Sequence, residues 1–335
     1  MRVAVVILNY NGQQHLRRFL PSVVANSNGA DIIVADNGST DDSLTVLATE
    51  FASVKTITLE SNYGFAEGYN RALAQLDDYD CYVLLNSDVQ TPKGWLEPLI
   101  ERLESDITVA AVGPKILSVE EPDKFEYAGA AGGFIDYLGY PFCRGRILSV
   151  TEYDNGQYDD CREVFWVSGA AFCVRKDVYR ALGGLCGDFF AHMEEIDLCW
   201  RIQLAGWKVV VEPKSKVYHL GGGTLQTNSP RKIFFNHRNN LAMLYRCAPP
   251  MQRAVVAVVR PFLDLAAAAS YLVGGNTNGA KALFKAWRDF LRWHKRLAAE
   301  RREIRKNVKR ESLCIYKGMI LLRYLFGRRK FNNIV

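Results

Sequence analysis

Cys81-Tyr82-Val83-Leu84-Leu85-Asn86-Ser87-Asp88 is the stretch around which the chain is organised. Five apolar or aromatic residues in a row, too short for a helix, predict a buried strand of a parallel sheet. A polar pair and one carboxylate follow at its carboxyl end, and Pro92 then opens a helical stretch to about Glu104. Ligands of open α/β sheets bind just beyond the carboxyl ends of strands. Asp88 there either holds a divalent metal or a substrate hydroxyl, or caps the helix that follows.

Upstream, the same punctuation recurs. Val3 to Leu8 is an apolar, largely β-branched run that ends in Asn9-Tyr10-Asn11-Gly12, with a helix predicted from Gln13 to Asn26. Ile32 to Ala35 is the second strand, ending in Asp36-Asn37-Gly38-Ser39-Thr40-Asp41, whose Ser and Asp residues suit a helix N-cap. Lys55 to Leu59 is the third, and Asn62 to Asn70 leads into a helix ending near Leu76. Strict alternation of strand and helix predicts a doubly wound, mostly parallel sheet flanked by helices. Polar residues gathered at the strand ends make a cleft fit for a nucleotide. There is no GxGxxG after the first strand and no GxxxxGK[ST] anywhere, which argues against a dinucleotide dehydrogenase and a P-loop enzyme.

Composition sets outer bounds. With 335 residues, 49% of them apolar, the chain has ample core material for one large or two unequal domains. Its eight cysteines contain no CxxC pair and several sit in apolar runs, which predicts reduced thiols and a cytosolic setting. A strand entered by Val3 predicts no signal peptide ahead of it. Charge is concentrated: residues 281 to 330 hold 17 Lys or Arg against 4 Asp or Glu, while the whole chain is only +6, so the remainder is acidic. A basic block this dense points to an anionic partner surface.

Four motifs in order, Leu8-Asn9-Tyr10-Asn11, Val34 to Asp41, Asn62-x-Gly64-Phe65-Ala66-x-Gly68-x-Asn70 and Leu85 to Asp88, resemble the family 2 glycosyltransferases over residues 3 to about 224. The resemblance implies an inverting enzyme of the GT-A fold, with a catalytic domain over 1–228 and a helical extension over 229–335. It implies that Asn9, Asp36, Gly38 and Ser39 hold the nucleotide, joined by Asn70, Asn86 and Ser87, and that Asp88 binds a metal on the sugar diphosphate. The family's metal motif carries two acids one residue apart, whereas this chain has Asn86-Ser87-Asp88. Hard oxygen ligands suit Mg²⁺ or Mn²⁺, and few carboxylates plus phosphates and water suffice for Mg²⁺.

Glu194, Glu195 and Asp197 put three acids at a predicted helix start, where the helix dipole alone favours them by about 0.3–1 kcal/mol each. The resemblance assigns the catalytic base to Glu195, with Glu where the family has Asp. It also assigns His219 to the metal site beside Asp88, and lets the backbone of Gly221 to Gly223 close over the diphosphate. Ser118 to Glu163 dissolves into Gly, Asp and aromatics and is expected to be irregular and acceptor-facing, followed by a strand over Val164 to Arg175. Trp166 either stacks on a sugar or belongs to the core, and Glu194 and Asp197 are further acceptor-side candidates.

Ile233 to Tyr245 and Ala254 to Val273 are apolar helical stretches. Arg260 and Asp264 together cost about 5–7 kcal/mol at a membrane centre, more than the neighbouring Leu, Val and Phe return, so the second is expected to be interfacial or buried. Basic residues interleaved with Phe284, Trp287, Leu291 and Trp293 favour an anionic membrane surface over nucleic acid, for which no motif is present. The expectation is a metal-dependent inverting glycosyltransferase using a UDP- or dTDP-linked sugar and a lipid-linked glycan acceptor, peripheral on the cytoplasmic face of the cell membrane. An inactive nucleotide-sugar-binding module and a nucleotidyltransferase are the alternatives.

Overall fold

The computed structural model describes residues 1–221, 229–312 and 314–335. Gly222, Gly223 and the expected boundary at Asn228 lie outside the described residues. Strand β1 (Val3–Asn9) leads to α1 (Gln13–Asn26), β2 (Ala30–Asp36) to α2 (Ser43–Glu50), and β3 (Lys55–Thr58) to α3 (Gly64–Leu73). Then come β4 (Cys81–Asn86), the two-residue β5 (Val89–Gln90), α4 (Glu97–Ser105) and β6 (Val109–Ser118). β1, β2 and β3 pair in parallel outward, and β4 returns in parallel to the other side of β1. The winding reverses at β1, so a crevice opens beyond the carboxyl ends of β1 and β4. Register sets Asn9 beside Asp36 and Leu8 beside Asn86 on that edge.

Alternation along β1 divides the core. Val5 and Ile7 pack with Leu16, Leu20 and Val23 of α1 on one face, while Ala4 and Val6 pack with Tyr69, Ala72 and Leu73 of α3 on the other. Each large aliphatic buried this way contributes about 1.5–3 kcal/mol. A continuous apolar run is therefore what a strand covered on both sides requires.

The chain continues through β7 (Gly133–Asp136), β8 (Pro141–Cys143), β9 (Arg146–Ile147), β10 (Val150–Thr151) and β11 (Arg162–Glu163). β12 (Ala171–Arg175), α5 (Lys176–Ala181), α6 (Glu194–Leu204) and β13 (Lys208–His219) follow. The central sheet runs β11-β13-β6-β12-β4-β1-β2-β3, with β5 on β13. It is mixed, because β12 inserts antiparallel between β4 and β6. The strand expected over Val164 to Arg175 begins only at Ala171. Before it a turn at Ser168 accepts both Ala170 N, on its hydroxyl, and Ala171 N, on its carbonyl.

The helical extension comprises α7 (Pro230–Cys247), α8 (Pro250–Val273), α9 (Thr277–Arg292) and α10 (His294–Lys306), then β14 (Ile315–Tyr316) and α11 (Ile320–Leu325). Within residues 118–163, expected to be irregular, β7 to β10 instead form a second sheet with β14, ordered β10-β9-β8-β7-β14. Its strands of two to four residues are too short to show a period, and Gly139 and Gly145 turn between them at φ 86° and 95°. Its edge partner, β14, arrives about 180 residues later in parallel with Ile135 and Asp136.

α8 is the one helix among the described residues long and apolar enough to cross a membrane. Arg260 and Asp264 face inward, where Arg260 donates to Leu138 O and to Asn240 Oδ1. The outer face leaves Met251, Val258, Phe262, Leu265 and Leu272 exposed. Part of the basic block also turns inward: Arg301 donates to the carbonyls of Tyr245 and Ala248, Arg310 pairs with Glu163, and Trp287 donates to Asp264. Phe284 and Leu291 stay exposed. All eight cysteines are free, five of them buried.

Candidate active site

At the edge of β1 and β2 the Asp36 carboxylate is fully buried. Its oxygens accept Asn9 Nδ2 at 3.1 Å and Ser39 N at 2.9 Å. Asn9 Nδ2 also reaches Ser39 Oγ at 3.3 Å, whereas Asn9 Oδ1 is buried without a partner among the described residues. Gly38 makes this turn possible. Its φ is 74°, and a Cβ there would lie 2.6 Å from the Ser61 backbone. Asn11, which sequence reasoning passed over, pins the far side by accepting Thr40 N and Asp41 N.

The end of β4 carries the second group. Asp88 Oδ1 lies 3.1 Å from His219 Nε2, and Asn86 Nδ2 lies 3.3 Å from the same nitrogen. The pairing of β5 with β13 sets Val89 opposite His219, and Leu220 N donates to Asp88 O, which fixes these residues together. Half-buried Ser87 faces the Gly12 turn, its Oγ 3.7 Å from where a Cβ on that glycine would sit. The other ring nitrogen, His219 Nδ1, lies 3.1 Å from Glu126 Oε2. Burial alone would lower the His219 pKa, but its hydrogen bonds to Asp88 and Glu126 outweigh that and raise it to about 10. Burial would raise the Asp88 pKa, yet the His219 hydrogen bond holds it below the usual carboxylate value.

This donor set fits a divalent ion. Adjacent ligands on an octahedral ion at ~2.1 Å stand about 3 Å apart, close to the Asp88–His219 separation. A carboxylate behind the ring, here Glu126, is the usual partner of a metal-bound imidazole. Among the described residues no three His, Cys, Asp or Glu side chains converge on one point. The set suits an ion that takes its remaining ligands from phosphates and water.

α6 separates its three acids. Glu194 and Asp197 share the buried face, and Glu195 stands about 100° round the helix. Asp197 is fully buried between Arg201 at 2.8 Å and Arg246 at 3.1 Å, which removes it from the acceptor side. Glu194 is 5% exposed and lies outside the cavity wall, its pKa raised by burial and by the charge of Glu195. Glu195 lines a cavity of about 430 Å³. Its Oε2 has no partner among the described residues, and burial pushes its pKa up to about 7. Gly169 abuts the Glu195 side chain, while the next residue, Ala170, accepts Asn86 N. One short segment thus links the base candidate to the metal edge.

The approach to α6 is strained, with Phe190, His192 and Met193 at φ 65°, 71° and 72°. Asn239 of α7 holds it, donating from Nδ2 to the carbonyls of Phe189, Ala191 and His192 at 3.0, 2.9 and 2.8 Å. Trp166 is 3% exposed and donates to Phe134 O, and it also lines the cavity. Asn70, expected at the nucleotide sugar, has its side chain engaged by other protein groups. Its amide pins Leu185 and accepts from the Tyr179 hydroxyl. Glu126, Arg146 and Lys232 were not found from the sequence, where no motif marks them, and Arg260 was considered there only as a charge in an apolar helix.

Comparison with known proteins identifies the family and the fold. The signature of glycosyl transferase family 2 matches residues 4–182. An N-acetylglucosaminyl-diphospho-decaprenol L-rhamnosyltransferase of Mycobacterium tuberculosis (strain ATCC 25618 / H37Rv) is 30% identical over 234 residues, covering 64% of this chain and 75% of that one. Among solved structures, GalNAc-T7 with UDP, GalNAc and Mn2+ superimposes with a TM-score of 0.62 at 17% identity, over 78% of this chain and 50% of that one. A mannosyltransferase from Pyrobaculum calidifontis in complex with GDP-Man and Mn2+ gives 0.54 at 15% identity, over 91% and 86%. The signature, the mycobacterial relative and the shared fold place the chain in glycosyltransferase family 2.

Proposed function

We propose that the protein is an inverting, metal-dependent enzyme that moves a sugar from a nucleotide diphosphate onto a hydroxyl of a lipid-linked glycan, at the inner face of the cell membrane. The observation that carries this reading is the unpartnered Glu195 carboxylate facing a cavity beside the Asp88–His219 edge. The mycobacterial relative, whose name describes rhamnosyl transfer to a diphospho-decaprenol, supports the acceptor class. A UDP- or dTDP-linked sugar is the donor class, with rhamnose the first candidate.

In this reading Asn9, Asp36 and Ser39 form the wall against the nucleotide. Asp88 and His219 hold Mg²⁺ or Mn²⁺, with Glu126 orienting the imidazole. A bound ion supplies charge neutralisation for the departing diphosphate. Glu195 accepts the proton of the acceptor hydroxyl as that oxygen bonds to the anomeric carbon and the carbon–phosphate-oxygen bond breaks. Attack from the cavity side, opposite the leaving group, inverts the anomeric centre.

The test is transfer from UDP- and dTDP-sugars, with Mn²⁺, to a short-chain prenyl-diphospho-N-acetylglucosamine, with the product anomer read by NMR. Inverted product is expected. Retained configuration, or neither transfer nor hydrolysis above background with any donor, would overturn the reading.

A further inference from the structure

We infer that the cavity beside Glu195 is a phosphoryl subsite, built to take the phosphate or diphosphate ester that joins an acceptor sugar to an apolar tail. The inference rests on the proposed lipid-linked acceptor and adds which residues read its charged linkage.

Three cations line the cavity, Arg146, Lys232 and Arg260, and Glu195 is the one carboxylate among its lining residues. Arg146 is 5% exposed. Its guanidinium donates to Leu148 O at 3.1 Å and to Cys143 Sγ at 3.3 Å. Its Nε has no partner, and no carboxylate pairs with it among the described residues. The residues outside that description, 222–228 and 313, contain no Asp or Glu. Lys232 and Arg146 approach the Tyr127 ring at 6.0 and 4.5 Å, so the two charges share one wall. Glu126, the carboxylate whose field reaches both, is already engaged by His219 and by Ala128 N.

Arg260 is 1% exposed and reaches Asp264 at 3.5 Å, but its Nε is also unpartnered. Asp264 is shared with His237 and Trp287 and does not line the cavity. His192, another lining residue, buries Nε2 without a partner. Burial and the neighbouring Lys232 push its pKa down to about 4, so it adds a neutral ring. Arg260 thus keeps a counter-charge in Asp264, whereas Arg146, buried with no carboxylate against it, is costly to fold around. The unpartnered Nε–H groups of Arg146 and Arg260 and the Lys232 ammonium are donors of the kind that phosphate oxygens accept.

The cavity is not the donor cleft, since Asn9, Asp36, Asp88 and His219 are absent from its wall. It also has an apolar exit. α8 presents Arg260 to the cavity and Phe262 and Leu265 outward, 70% and 53% exposed. α11 presents Tyr324 to it and Leu325 outward at 77%, with Phe326 just beyond at 80%. A tail leaving the cations would run onto these side chains.

The test uses the full chain in EDTA with geranyl diphosphate, geranyl phosphate and geraniol, titrated calorimetrically. The two phosphoryl ligands should bind, and geraniol at least about tenfold more weakly. Arg146→Gln and Lys232→Gln should each weaken geranyl diphosphate about tenfold while leaving UDP binding with Mn²⁺ unchanged, and Asp88→Asn should do the reverse. Lys232 is half-buried in the first turn of α7, so its variant decides the matter if Arg146→Gln misfolds. No binding, equal binding of geraniol, or an unaffected Lys232→Gln would overturn the subsite. Displacement by UDP with Mn²⁺, together with loss in Asp88→Asn, would assign the anion to the donor cleft instead. Failure of every nucleotide sugar in transfer would sink the proposed function yet leave this binding result standing, so the two failures read differently.

Discussion

Glu126 Oε2 and His219 Nδ1 lie 3.1 Å apart, on the side of the imidazole opposite Asp88. A carboxylate there holds the Nδ1 proton, so that a metal ion would take the place of the proton Nε2 shares with Asp88. Glu126→Gln should raise the Mn²⁺ concentration for half-maximal rate about 10–100-fold, whereas Asp88→Asn should abolish metal-dependent turnover. An unchanged Mn²⁺ titration in the Glu126 variant would remove it from the site.

Glu195→Gln keeps size and hydrogen bonding but cannot accept a proton. Its kcat should fall about 10²–10⁴-fold with donor binding preserved. The base works as the carboxylate, and burial raises its pKa to about 7. The wild-type rate should therefore climb with pH up to about 7 and then level. A severe loss in Glu194→Gln with a mild one in Glu195→Gln would transfer the role.

Glu194 gives a stability prediction of definite sign. Burial raises its folded-state pKa above the ordinary 4.5. Between those two values the folded protein keeps a proton that the unfolded chain has lost, so stability falls as pH rises. Each such pH unit costs about 1.4 kcal/mol. Glu194→Gln should raise the Tm relative to wild type at pH 8 and change it little at pH 4. Equal differences at both would show that the carboxyl does not titrate on unfolding.

Asn239→Ala takes the amide donor from the Ala191 and His192 carbonyls, while Phe189 O keeps Arg238 and Ala191 N. A loss of about 1–3 kcal/mol is expected from the broken hydrogen bonds. Because the loop delivers Glu195, kcat should drop more than KM changes, which steady-state kinetics on the folded variant will show. An unaltered kcat would mean that α6 is positioned without this clamp.

Membrane association should depend on the outer face of α8. Phe262→Asp with Leu265→Asp should abolish pelleting with anionic vesicles at 0.1 M salt, while leaving nucleotide-sugar binding intact. Wild-type pelleting should weaken toward 1 M salt, as the screening length falls from about 10 to about 3 Å. Pelleting that survives the double substitution would place the contact elsewhere.

What the sequence reveals depends on how locally each feature is determined. β1 to β4 are legible because strands covered on both faces must be apolar throughout, whatever packs on them. The second sheet is not, since strands of two to four residues leave no period and β14 is far away in sequence. Asp88 and His219 are 131 residues apart, and only the β5–β13 pairing joins them. Resemblance named them, but it gave no sign of Glu126 behind the ring. Asn70 belongs to a motif yet spends its amide on Leu185, and Asp197, read as acceptor-facing, serves two arginines. Arg260 was expected to be interfacial or buried, but that it meets Arg146 and Lys232 at one cavity is decided by elements that come together only in the folded chain.

β14 closes the second sheet against Ile135 and Asp136, and Ile320 N then donates to the Asp136 carboxylate. On the ribosome, where domains acquire structure from the amino end, the donor edge has all its strands by residue 219. The acceptor wall lacks its last strand until residue 316 has emerged. The carboxyl-terminal segment thus completes a sheet begun about 180 residues earlier, and a chain stopped short of β14 would leave β7 as an open edge.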